Sequence, residues 1–247
     1  MKIAYFDCFS GISGDMTLGA LIGAGADPEQ LRDKLAGLGV GGYRIEIGRK
    51  MNGYIDATDV LVILDEPHRQ HHRHLKEIIE TIHNGALSDP VKQTAERIFR
   101  RLAEAEGSVH GHSPEEVHFH EVGAVDAIVD IVGTAICLEM LGSPKVIASP
   151  MPTFYGYSKG SQGIFPLPAP ATAEILQGVP WRKLDIEGEL VTPTGAAIIT
   201  GIASEFGPLP AMAIEKIGYG AGKGDFGISN VLRVMIGEEV NSSSTQK

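Results

Sequence analysis

Apolar and polar positions recur along this chain in two rhythms, one near two residues and one between three and four, which predicts strands mixed with helices. Lys2 to Phe6 reads as a short buried strand ending in Asp7, the small-residue loop Cys8 to Gly14 follows, and Asp15 to Ala24 has helical character. Asp27-Pro28 places a capping side chain before a proline at the first helical position, which predicts a helix running to about Ala36. Tyr43 to Lys50 alternates and Asp59 to Leu64 is a nearly continuous Val/Leu/Ile run. With turn chemistry at Met51-Asn52-Gly53 between them, they read as an antiparallel pair.

Beyond a histidine-rich segment, a helix is expected through Ile82, and Ser88-Asp89-Pro90 caps another from Val91 to about Glu106, with Gly107 to His112 as loop. Ser113 and Glu116 have capping-box spacing, yet Val117-His118-Phe119-His120 alternates as a strand would, and local pattern leaves both readings open. Ala124 to Leu141 is an apolar helix with three acids, and Lys145 to Ala148 is a strand. Residues 150–170, with five prolines, form an irregular connection with room for one hairpin. Helices at Ala171 to Leu176 and Gly195 to Ser204, and strands near Glu189 to Val191, Met212 to Ile217 and Val231 to Ile236, complete the pattern. The expected fold is α/β (mixed α+β), a mixed sheet with β-hairpins and packed helices. Residues 1–240 read as one domain, with any subdomain boundary near 143–150, and 241–247 as a disordered tail.

The chain has 247 residues, 43% of them apolar, enough for a substantial core. Lys plus Arg total 21 against 31 Asp plus Glu, a net charge of −10, which argues against nucleic acid as main ligand. Two cysteines make no disulfide framework, and no uncharged run approaches the ~20 residues of a membrane span, so the expectation is a cytoplasmic protein without membrane contact. All nine histidines fall between His68 and His120.

Four constellations carry candidate chemistry. In "DCFSGISGD" a carboxylate at the end of a strand precedes small residues that open a helix, which suits a metal-bridged phosphate; a tight turn with Asp15 as helix cap is the equal alternative. "HRQHHRH" holds four histidines in seven residues, His68, His71, His72 and His74. Imidazole suits Ni, Cu, Zn or Fe(II), although Arg69 and Arg73 would also serve an anion-binding patch. His118 and His120 share one side of an extended strand, with Phe119 turned into the core, followed by Glu121 and by Asp126 and Asp130 on one helix face. Carboxylates in such apolar surroundings need a metal, an arginine or water. Lastly, "ELVTPTGAA" and "GYGAGKGDFGISNVLRV" offer Thr192, Thr194, Gly195 and Lys223 for phosphate or carboxylate, or simple turn geometry.

The segments "DCFSGISGDM", "HFHEVGAVDAIVDIVG", "PLPAPAT", "ELVTPTGAA" and "GYGAG…NVLRV", in this order from Asp7 to Val234, resemble the nickel insertion protein family of nickel-pincer cofactor biosynthesis (LarC). The resemblance implies a nickel chelatase of the lyase class that inserts Ni(II) into pyridinium-3,5-bisthiocarboxylic acid mononucleotide for lactate racemase maturation, consuming CTP with Mg(2+) or Mn(2+). On that expectation His68, His71, His72, His74, His118 and His120 hold nickel, and His120, Glu121 or Asp126 takes the ring proton. Ser13, Gly14 and Lys223 contact the anionic mononucleotide, and Asp7 and Asp15 hold a hard divalent ion. The chain resembles the amino-terminal portion of that family, which implies a separate C-terminal portion as partner for CTP chemistry, and homo-oligomers are a further expectation. A non-catalytic nickel store is the alternative reading, and a metal-dependent phosphotransferase or hydrolase a third.

Overall fold

The computed structural model describes residues 1–65, 73–119, 125–160 and 163–240, with only the backbone at His118. The elements are, in order, β1 (Lys2–Asp7), α1 (Gly14–Gly23), α2 (Pro28–Ala36), β2 (Tyr43–Asn52), β3 (Ile55–Leu64), β4 (Arg73–His74), α3 (Leu75–Asn84) and α4 (Asp89–His110). Then come β5 (His118–Phe119), α5 (Val125–Met140), β6 (Lys145–Ala148), β7 (Met151–Pro152), β8 (Tyr157–Gly160), β9 (Gly163–Pro166) and α6 (Pro170–Ile175). Last are β10 (Trp181–Arg182), α7 (Pro193–Ile202), β11 (Glu205–Phe206), β12 (Met212–Ala221) and β13 (Val231–Glu239).

Seven strands form one mixed sheet in the order β11-β6-β1-β13-β12-β3-β2. β1 runs parallel to β6 and antiparallel to β13, so the first and last strands meet in the middle of the sheet. The mixed α/β class expected from the pattern is the class observed. Ala4 and Phe6 of β1 and Leu232, Val234 and Ile236 of β13 point into the main core, beneath α1 and α5. α1 crosses β12 and β3 and packs beside α5, while α4 lies against α5, α6 and α7. Gly220 permits the closest of these approaches, because a Cβ there would stand 1.8 Å from the Met16 carbonyl oxygen of α1.

Several expectations are corrected in detail. The strand expected from Asp59 begins at Ile55, since β2 and β3 stay in register through Asn52 opposite Ile55 and turn on Gly53-Tyr54. The helix expected to stop at Glu106 continues to His110; packing of Phe99, Leu102 and Ala103 outweighs the ~1 kcal/mol helix cost of Gly107. Where Val117 to His120 left helix and strand open, His118–Phe119 is a strand, and Phe119 is buried edge-on against Phe99 with ring centroids 6.4 Å apart. Glu189 to Val191 makes only an isolated bridge, Val191 to Ile12. β12 extends past Ile217 to Ala221, so four of the five residues of the glycine-rich "GYGAG" are strand pressed on α1 and not loop. A hairpin, β8–β9, does lie within the proline-rich connection. The tail 241–247 lies outside the described residues.

Candidate functional site

Two helices begin side by side because their entry segments are tied together. The Ile12 N–H donates to the Leu190 carbonyl at 2.9 Å and the Thr192 N–H donates to the Ile12 carbonyl at 3.2 Å. One residue further along each strand of this ladder stands a helix cap. The Ser13 hydroxyl accepts from the Met16 N–H at the start of α1, and the Thr192 hydroxyl accepts from the Gly195 N–H at 3.1 Å at the start of α7. α5, packed against α1, brings its own first turn to the same place, with the Asp126 carboxylate accepting from the Ala127 N–H at 2.9 Å.

The result is an open cleft of about 210 Å³ lined by Ser13, Gly14, Asp15, Val62, Asp126, Asp130, Thr192, Thr194 and Lys223. Three helix N-termini contribute partial positive charge and N–H groups without partners inside their helices. Lys223, on the loop after β12, adds a full positive charge, its Nζ 3.1 Å from Asp15 Oδ2. Ser13 Oγ donates to the other oxygen of Asp15. Burial works against the Lys223 ammonium, but Asp15, with help from Asp130 and Asp59, more than offsets it and raises its pKa.

Asp130 is the carboxylate this arrangement leaves least satisfied. It sits one turn along α5 from Asp126, reaches the cleft, and packs so closely on Gly14 that a Cβ there would fall 2.1 Å from Asp130 Oδ2. Its Oδ1 is closed off from solvent and has no hydrogen-bond partner among the described residues. Burial first, then Asp15 and Asp126, push its pKa well above the usual carboxylate range, against the smaller pull of Lys223.

Of the residues singled out from sequence, Ser13, Gly14, Asp15, Asp126, Asp130, Thr192, Thr194 and Lys223 meet in this one cleft. Asp7 does not join them. It stands opposite Arg233 in the β1–β13 register, and its Oδ2 accepts from Arg233 Nε at 3.1 Å. His74 and His118 are direct partners in the β4–β5 ladder, so the two histidine-bearing segments come together at the backbone. His68, His71, His72, His120 and Glu121 lie outside the described residues. Among the described residues no group of three or more His, Cys, Asp or Glu is arranged to hold a metal ion unaided, and no helix is long and apolar enough to cross a membrane. Sequence reasoning had no signal for Val62, one apolar residue in a β strand, nor for the meeting of Asp130 with Asp15.

A family model described as "Nickel insertion protein" matches residues 4–247. Among curated relatives, the pyridinium-3,5-bisthiocarboxylic acid mononucleotide nickel insertion protein of Desulfitobacterium hafniense is 49% identical over 247 residues, covering 100% of this chain and 61% of the relative. The protein of the same name from Geobacillus kaustophilus is 48% identical over 99% of this chain and 62% of its own length. That of Staphylococcus epidermidis is 44% identical over 95% of this chain and 59% of its own length. The chain thus spans less than two thirds of the length of the curated relatives it matches. No solved structure matches it. With the family model covering nearly every residue and identities close to one half, the chain belongs to the nickel insertion protein family.

Proposed function

We propose that this chain is the nickel-handling and substrate-binding portion of a nickel chelatase, a lyase-type activity that inserts Ni(II) into pyridinium-3,5-bisthiocarboxylic acid mononucleotide. The observation that carries the reading is the cleft, where the starts of α1, α5 and α7 and the Lys223 ammonium face one another. Backbone N–H groups at helix starts and a lysine are the donors that a phosphate monoester needs. With the phosphate there, the substrate's pyridinium ring extends along the cleft past Asp126, which is exposed and acts as acceptor for the proton released when nickel bonds to ring carbon.

Nickel is cargo in this scheme. Borderline imidazole donors hold Ni(II) less firmly than the thiocarboxylate sulfurs that receive it, so transfer from histidine to substrate runs downhill. Pairing of His74 with His118 supports a donor site where the two histidine segments join, just upstream of the start of α5. CTP chemistry with Mg(2+) or Mn(2+) is assigned to the remaining two fifths of the full-length relatives, which acts as partner.

The test combines this chain, the C-terminal portion of the Desulfitobacterium hafniense relative, the mononucleotide precursor, Ni(II) and CTP, with mass spectrometry of the small-molecule product. The nickelated nucleotide is expected. A variant with His68, His71, His72 and His74 all replaced by alanine should lose bound nickel yet still give product when nickel is in excess. Full nickel binding with no product from any combination would favour the storage reading instead.

A further inference from the structure

Three carboxylates, Asp15, Asp126 and Asp130, line the cleft against the single ammonium of Lys223. For a site meant to take a dianionic phosphate this balance is wrong. Each carboxylate facing the phosphate at the distances of a small cleft repels it, and partial helix charges of about half a unit each do not reverse the sum. A cation is the missing element, and one atom indicates where it goes. Asp130 Oδ1 is buried and unpartnered, a state that disfavours a charged oxygen, so the carboxylate is relieved either by a proton or by a cation that takes the proton's place. The other oxygen of Asp130 lies against Gly14, the first residue of α1, so the carboxylate stands at the helix start where the phosphate belongs.

We propose that Asp130 and Asp15 together hold a hard divalent cation of the Mg²⁺ class against the phosphate of the bound mononucleotide. The inference rests on the substrate reading above and adds a second metal site, made of oxygen donors, to the imidazole site that carries nickel. The chemistry fits the donor set. Mg²⁺ is bound by one or two carboxylates plus substrate phosphate and water, and is poorly served by imidazole. Two carboxylates complete a shell only when the phosphate is present, so cation and mononucleotide bind cooperatively. Lys223 then shares Asp15 with the cation and contacts the phosphate from the opposite side.

Nicotinic acid mononucleotide, a pyridinium mononucleotide with a ring carboxylate, serves as probe in calorimetric titrations of the full chain, with and without millimolar Mg²⁺. Mg²⁺ is expected to tighten its binding by about tenfold or more, and the mononucleotide to tighten Mg²⁺ binding by the same factor. Asp130→Asn and, independently, Asp15→Asn should abolish that mutual enhancement while nickel binding by the chain is retained. Equal mononucleotide affinity with and without Mg²⁺, or full enhancement surviving in both variants, overturns the cation site and leaves the substrate reading standing. No mononucleotide binding under either condition overturns both.

Discussion

Asp130 carries the heaviest electrostatic load in the cleft, since burial, Asp15 and Asp126 all disfavour its ionised form and Lys223 alone favours it. Its folded-state pKa therefore lies above the unfolded value of about 3.9, which makes the metal-free protein's stability depend on pH in a defined direction. The proton bound to Asp130 stabilises the fold fully below the unfolded pKa, and that contribution is lost as pH rises through the folded pKa. Asp130→Asn keeps the shape and removes the ionisation. Thermal melts of metal-free protein should show wild type and variant alike near pH 4, and the variant with the higher Tm near pH 8. A less stable variant at pH 8 would mean that the carboxylate has a partner the structure does not reveal. Asp7 makes the complementary point. From the sequence it reads as a strand-end carboxylate open to a metal, because its partner Arg233 is 226 residues away and no local pattern shows it.

At the scale of elements, the cleft depends on two helix starts being strapped together, and each start depends on one hydroxyl. Thr192→Ala removes the acceptor for the Gly195 N–H and should cost about 1 kcal/mol in urea unfolding, with Thr192→Ser recovering most of it. Gly220→Ala places a methyl group on the Met16 carbonyl and should cost roughly 1–3 kcal/mol, because α1 must lift from the sheet to make room. These positions also show what the sequence discloses. Helices whose ends carry capping residues, such as α2 with Asp27 accepting from Glu29 N–H at 2.9 Å, were legible because the signal is local. Two-residue strands such as β7, β10 and β11 were not, because they are too short for any period. "GYGAG" was misleading for a physical reason: glycines that allow backbone to touch backbone within a strand look the same in sequence as glycines that turn a loop.

For the molecule as a whole, eight residues nominated from four separate stretches, Ser13, Gly14 and Asp15, Asp126 and Asp130, Thr192 and Thr194, and Lys223, line one cleft, since the sheet carries its first and last strands side by side beneath α1 and α5. Polar and charged side chains suited to binding an anion or cation were visible at each stretch; convergence was not, because it is set by strand order and by the packing of α1 on β12. The histidine segments follow the same logic, with His74 and His118 paired across a two-residue ladder although 44 positions apart in sequence. The cleft is expected to recognise the phosphate first and the ring second. The most direct measurement is the affinity of the chain for pyridinium-3,5-bisthiocarboxylic acid mononucleotide set beside that of its dephosphorylated riboside, in wild type and Lys223→Ala. Removing the phosphate should weaken binding to wild type by about tenfold or more, worth ~1.4 kcal/mol or above, and Lys223→Ala should erase most of that difference. Equal affinity of wild type for mononucleotide and riboside would contradict it.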